Sequence, residues 1–346
     1  MQINDNLIRE VFDEIVKYNP EYYTDDFINK LRLERRRVPL EVCSAFPLPI
    51  GNELQILFAI DERKLDLNRL KQLFKTMERT VQFISFIMLS QLWVDKSAGK
   101  ITIPQEFSKE FDKRFRSLSL GTYTCMIKGM GEIYSDQNAE WFMPEMKEQF
   151  TDELYKSLNL WPKDRNLIDH HDINPSSEGI ERLCLEYEDM LTLLLKRIAF
   201  LLKYKLISIN EINISKARNK TAKFAHRVNF LDTISHNNTE EIADYTYTDC
   251  RSVGLTKSIN SVKEFLNLSP LVIDTHSEVL NSTSKNKYVL KKDIFMYTGS
   301  NVCTETKGDR LYYAGITAEE QYDLRALSNY DELLFEYKEL VKTILS

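Results

Sequence analysis

The residue types best suited to chemistry in this chain are concentrated between Lys216 and Arg227. Arg218 and Asn219 stand together, and His226 follows them. Arginine binds phosphate groups well, and histidine exchanges protons near neutral pH. The same segment carries Lys216, Arg218, Lys220, Lys223 and Arg227, five cations with no acid between Glu211 and Asp232. Sharing one surface, they could contact the phosphates of RNA or DNA, and such binding weakens steeply with salt. Lysines also guard exposed strand edges against pairing with other chains, so a solvated hairpin edge is the competing reading of the same residues.

Other groupings are weaker. Asp169-His170-His171-Asp172 contains metal-ligating side chains, but ligation needs convergence with further groups, and the proline-bracketed, polar setting of residues 161–177 reads as a surface loop. Asp274-Thr275-His276 ends a predicted strand without an assignable nucleophile or second base. The glycines of Lys128-Gly129-Met130-Gly131 fall within a helical pattern and point to close helix packing. Arg32, Arg35, Arg36 and Arg37 read as a solvated helix end or a contact for an acidic partner. With only 10 glycines and no clustered run of them, no phosphate-cradling loop is visible. Neither a metal nor a cofactor is expected.

The elements that must position these residues change character between Glu178 and Leu231. Ile180, Leu183, Cys184, Tyr187, Leu191, Leu194, Leu195, Ile198, Phe200, Leu201 and Leu202 form a broad helical stripe, after which Ile207, Ile209, Ile212 and Ile214 follow strand alternation. The change of phase between Ile209 and Ile212 predicts a β-bulge at Asn210-Glu211. Strands over 206–214 and 223–231, joined across 215–222, put His226 on one face with Phe224, Val228 and Phe230. A histidine so placed is usually a core residue.

Ahead of this pivot, helical spacing predicts helices over 5–18, 22–35, 66–93 (one kinked or two), 105–115, 120–134 and 143–158. Pro47, Pro49 and Gly51 predict a loop or an irregular entry over 41–57. Behind the pivot, strands are predicted over 253–256, 264–267, 271–274, 288–297 and 310–314, with a final helix over 331–345. The fold class is therefore α+β: an N-terminal multi-helix domain (1–205), a small antiparallel β-rich domain (206–316) and a C-terminal helical tail (317–346).

A chain of 346 residues with 43% hydrophobic content can bury a full core. Its net charge of -6 makes any nucleic-acid site regional. Five widely spaced cysteines with no CxxC pair read as reduced thiols, and the acidic residues near the start do not match a signal peptide, so a cytoplasmic location is expected. The longest charge-free stretch, 81–94, is too short and polar to span a bilayer and predicts a buried helix; no membrane association is expected.

Three resemblances bear on function. Arg218-Asn219 with His226 resembles the signature of HEPN-type ribonucleases, which would imply metal-independent RNA cleavage by Arg218 and His226. The spacing between the two is longer than in that family, and the segment does not read as one helix. Asp169-His170-His171-Asp172 resembles the motif of the DHH phosphoesterases, without their companion aspartate motifs. The blocks Phe46-Pro47-Leu48-Pro49, the helix from Met77 to Trp93, Leu120-Gly121-Thr122-Tyr123 and Leu268-Ser269-Pro270-Leu271-Val272, in that order, resemble a helical-plus-β regulatory module found ahead of effector domains in bacterial signalling and antiviral-defence proteins. Versions with a CxxC ribbon differ from this chain, whose residues 282–297 contain no cysteine. That resemblance implies a non-enzymatic recognition or regulatory component acting through a protein partner, an effector encoded nearby. A nucleic-acid-binding adaptor using the 216–227 hairpin, and the ribonuclease, are the alternatives.

Overall fold

In the computed structural model the described residues are 3–34, 37–61, 64–159, 176–233, 238–241, 252–258, 264–275, 293–301, 309–317, 321–323, 327 and 329–346. The chain is α+β, with helices followed by two small antiparallel sheets and a closing helix. It divides into two compact units that interleave in sequence: Met1–Phe83, Met143–Lys205 and Asp232–Ile234 form one, and Ile84–Phe142, Leu206–Leu231 and Ser235–Ser346 the other. The linear division expected at 205 and 316 shares the Lys205/Leu206 boundary with this one. Residues 84–142 and the C-terminal helix, however, group with the strands.

The first unit is helical. It holds α1 (Ile3–Tyr18), α2 (Asp25–Leu33), α3 (Arg37–Ala45), α4 (Leu48–Ala59) and the first part of α5 (Leu67–Ser97). It also holds the single turn α8 (Met146–Gln149), the helical residues 152–159 as α9, and α10 (Ser177–Arg197), which runs into a 3-10 turn at Ala199–Lys203. Helix starts are set by side-chain caps: Thr24 Oγ1 accepts from the Phe27 amide (3.4 Å) and Ser176 Oγ from the Gly179 amide (3.2 Å). The loop expected over 41–57 is instead the α3–α4 helical pair. Pro49 lies in the first turn of α4, where no amide hydrogen is needed. Gly51 lets α4 pass close to α3, because a Cβ there would run into the Cys43 carbonyl oxygen.

Burial in this unit includes charge. Arg69 on α5 is fully buried and donates from Nη2 to Glu188 Oε2 on α10 at 2.7 Å. Gln72 Nε2 donates to Glu53 Oε2 on α4 at 2.9 Å, and Lys75 and Arg79 lie 3.5 and 3.9 Å from the other Glu53 oxygen. Thr76 and Thr80 turn their hydroxyls back to the carbonyls of Gln72 (2.8 Å) and Thr76 (2.7 Å). Burial pushes the Glu188 carboxyl above the ordinary carboxylate range, while the Arg69 hydrogen bond and charge oppose that push. The pair therefore specifies which faces of α5 and α10 meet more than it adds net stability.

Among the described residues the second unit holds the rest of α5, α6 (Gln105–Arg114), α7 (Leu120–Asp136), nine strands and α11 (Tyr330–Leu345). One sheet has the order β3-β2-β1-β4-β5, built from β1 (Lys205–Ser215), β2 (Lys223–Phe230), β3 (Asn238–Glu241), β4 (Val253–Thr256) and β5 (Phe265–Asn267). The other has the order β6-β7-β8-β9, built from β6 (Val272–Asp274), β7 (Ile294–Asn301), β8 (Arg310–Gly315) and β9 (Gln321–Asp323). The expected antiparallel β-rich part thus consists of two sheets, and β3 and β9 are additions to the predicted strands. The α11 helix docks by burying Tyr337. Its ring stacks on Phe115, and its hydroxyl accepts from Tyr297 Oη (3.0 Å) and pairs with Ser300 Oγ (2.7 Å). Ser108 Oγ on α6 donates to the Ile344 carbonyl at 2.8 Å. Gly299 follows a register shift in β7, where a Cβ would lie 2.7 Å from the Arg116 carbonyl oxygen.

Removing one member of the buried ion pair strands the other's charge. Glu188→Ala should therefore lower the free energy of unfolding by about 3–5 kcal/mol in a urea titration. The double variant Arg69→Met/Glu188→Leu should recover most of that loss, and an equal loss in single and double variants would show that the charges themselves stabilise the unit.

Candidate nucleic-acid interface

The β1–β2 hairpin is antiparallel with the expected bulge, its register shifting between Ile209 and Glu211. Ile207↔Phe230, Ile209↔Val228, Ile212↔His226 and Ile214↔Phe224 are cross-strand partners, so the extra residue returns all four isoleucines to one face. Ile207, Ile209 and Val228 are buried together, with Ile212, Phe230 and Phe265 packed against them. At the far end, residues 216–222 connect the strands: the Lys220 amide donates to the Ala217 carbonyl (3.2 Å), and Asn219 takes a positive φ of 62°. Asparagine tolerates that left-handed conformation better than most residues.

Arg218 and His226 are not brought together. Arg218 is exposed in the turn, whereas His226 is 2% exposed within the sheet, opposite Ile212 and facing as Val228 does. The sheet buries His226 as expected, between Ile212 of β1 and Glu241 of β3.

The five cations divide into two sets. Lys216, Arg218, Lys220 and Lys223 are exposed on the turn and the first residue of β2. Among the described residues, none of Lys216, Arg218 and Lys220 takes part in an ion pair. Arg227 is different: it lies opposite Glu211 in the ladder, and its Nη1 sits 3.2 Å from Glu211 Oε2. In sequence Glu211 bounds the acid-free run, but antiparallel pairing folds it back onto Arg227. Neither that pairing nor the exposure of Ile214 at 66% shows in the spacing, where Arg227 stands in an acid-free run and Ile214 alternates as the buried Ile209 does.

The remaining candidates fall to structural duties or lie outside the described residues. Asp169, His170, His171, Asp172 and His276 belong to the latter group, as do Arg35, Arg36, Cys250 and Cys303. Asp274 and Thr275 are buried where β6 meets β7; Thr275 Oγ1 donates to the Asp293 carbonyl (3.0 Å), and the Asp293 carboxylate accepts from the Ile294 amide (2.8 Å) and Thr317 Oγ1 (2.8 Å). Gly129 faces Phe107, whose ring a Cβ would meet at 2.8 Å, in keeping with close helix packing. Arg32 and Arg37 pair with Asp13 (3.5 Å) and Glu34 (3.3 Å). Burial pushes the Cys43 thiol up to about 12 and the Cys184 thiol up to about 11, so both stay protonated and unreactive at neutral pH. Among the described residues no group of three or more acidic, histidine or cysteine side chains could hold a metal ion, and no helix is long and apolar enough to cross a membrane.

His226→Ala should open a gap in the sheet and lower the unfolding free energy by about 1–3 kcal/mol. Arg218→Ala, on the exposed turn, should change it by less than about 0.5 kcal/mol. Urea titration of both variants checks the pair, and equal losses would contradict the burial difference.

Compared with protein-family models, with curated proteins and with solved structures, the chain matches none.

Proposed function

We propose that this chain is a non-enzymatic recognition component that binds the phosphate backbone of nucleic acid through the tip of the β1–β2 hairpin. The observation that carries this reading is the tip itself, where Lys216, Arg218, Lys220 and Lys223 stand exposed around one short turn. Phosphates supply the affinity in such contacts, because each neutralised phosphate releases condensed counterions. With a net charge of -6 the chain as a whole repels polyanions, so attraction has to be local, and a projecting tip keeps it so.

The order of the Phe46–Pro49, Met77–Trp93, Leu120–Tyr123 and Leu268–Val272 blocks, with its likeness to modules ahead of bacterial effectors, supports a wider setting for this binding. In that setting the chain is a cytoplasmic regulatory part of a defence or signalling system, and a partner effector encoded nearby converts binding into output.

Fluorescence anisotropy with labelled RNA and DNA at low salt tests the reading. Binding should appear, and for DNA duplexes log K should fall against log salt with a slope of about −3 to −4, since each phosphate contact contributes about −0.9. Replacing all four tip cations by glutamine should abolish binding and leave the thermal midpoint in place. Arg227→Gln should change the slope by less than any one tip substitution, because Glu211 already offsets Arg227. No binding by the wild-type chain to any nucleic acid at low salt would refute the proposal.

A further inference from the structure

The turn that carries the cations also carries a hydroxyl. Thr221 is exposed in the 216–222 connection, with Arg218 three residues and Lys220 one residue ahead of it and Lys223 two residues behind. Every residue from Asn213 to Thr221 is exposed. The ladder between the two strands closes at Ser215↔Lys223. The backbone of Thr221 therefore lies outside the strands, just past the turn in which the Lys220 amide donates to the Ala217 carbonyl at 3.2 Å.

A hydroxyl so placed is open to phosphoryl transfer. The reaction joins Thr221 Oγ1 to the γ-phosphorus of ATP, breaks the bond from that phosphorus to the β–γ bridging oxygen and releases ADP, while the hydroxyl proton passes to the aspartate base of the kinase. Kinases choose among hydroxyls by the charges around them, and a substrate cleft lined with acidic side chains selects basic residues shortly ahead of the acceptor. Arg218 and Lys220 give Thr221 that pattern.

Two serines with cations nearby fit less well. Ser215, at the same tip, stands in β1 as the ladder partner of Lys223, and the cations Lys216 and Arg218 follow it instead of preceding it. Ser117 has Arg114 and Arg116 ahead of it, but it is bridged to Gly299 in β7. Both of its arginines face carboxylates: Arg114 Nε lies 2.7 Å from Glu110 Oε2, and Arg116 Nη2 lies 3.7 Å from Asp112 Oδ1. Of the three, Thr221 joins a backbone outside the sheet to basic residues on the side a kinase reads.

Charge then gives the consequence. A phosphothreonine carries about −1.5 to −2 at pH 7 and three acceptor oxygens. Set among Lys216, Arg218, Lys220 and Lys223, it offsets about half of their charge, and its oxygens accept from the donors that would otherwise reach nucleic-acid phosphates. Resting on the nucleic-acid reading above, we infer that Thr221 is a phosphorylation site for a kinase with an acidic substrate cleft, and that its phosphate releases nucleic acid from the hairpin tip.

The full chain is incubated with MgATP and the catalytic domain of calmodulin-dependent protein kinase, which selects arginine three residues ahead of its acceptor. The phosphate is mapped by mass spectrometry before anisotropy titration. Phosphate should accumulate at Thr221, and Arg218→Gln should slow its addition. Thr221→Val, which keeps the shape of the side chain, should prevent it and leave binding and the salt slope at their wild-type values. For DNA duplexes the phosphorylated chain should bind at least about 10-fold more weakly near 0.1 M salt, with the slope reduced to about −2, because two of the four cations are neutralised within the protein. Phosphate absent from Thr221, or placed at Ser117 or Ser215 instead, would overturn the site. Phosphate at Thr221 with affinity and slope unchanged would overturn the switch. Either result leaves the basic-tip reading standing, whereas an unmodified chain that binds no nucleic acid would overturn that reading and the switch with it.

Discussion

The constraint on which this structure turns is the burial of α5. Every residue from Thr80 to Leu92 is buried, and polar side chains along the helix are buried with them. A buried polar group without a partner costs more than its hydrogen bond returns, and most of these are met by a group on another element or by the helix itself, Ser90 Oγ being without one among the described residues. In the first unit Glu188 meets Arg69 and Glu53 meets Gln72, while Thr76 and Thr80 return to their own backbone. In the second unit Asp95 accepts from Tyr134 Oη (2.8 Å), Gln91 Nε2 (3.1 Å) and Lys100 Nζ (3.1 Å). These directional contacts choose partners for α5 in a way that apolar packing alone would leave degenerate.

The same logic in the second unit explains why the C-terminal helix belongs with the strands. Tyr297, Tyr313, Tyr330 and Tyr337 are all buried, and each hydroxyl has a partner. Tyrosine supplies apolar area and one obligatory hydrogen bond, so a cluster of them fixes both contact and orientation. Desolvation raises the Tyr337 hydroxyl above the ordinary phenol range against the opposing pull of its hydrogen bonds, and raises Tyr297 and Tyr313 well above that range.

Against this packed body the β1–β2 hairpin is the exception. Its inner half follows the rule that apolar side chains face inward, and its outer half breaks it, with Ile214 in solvent and cations around the turn. A local departure from a pattern that holds elsewhere is where function is expected to reside. Much of this was legible in the chain. The phase change from Ile209 to Ile212 gave the bulge, the acid-free run gave the cations, and β4 spans the residues alternation predicted. Less legible were α3 and α4, because Pro47, Pro49 and Gly51 read as breakers while serving as a helix start and a close pass. β3 and β9 were invisible for a different reason: Asn238–Glu241 and Gln321–Asp323 are almost wholly polar, whereas the equally short edge strands β5 and β6 carry Phe265, Leu266, Val272 and Ile273.

By itself the sequence determined the periodicities, and with them the α+β class, the hairpin, its bulge and the inward face of His226, because these depend on neighbours a few residues apart. Tertiary structure alone decided where charge ended up. Arg69 and Glu188 look like surface residues until helices from distant parts of the chain bring them within 2.7 Å. Arg227 looks like a free cation until the ladder returns Glu211 to it. Ile214 looks like core until the fold leaves it 66% exposed. Electrostatic and burial energies depend on distance in space, which local spacing encodes only within a single element.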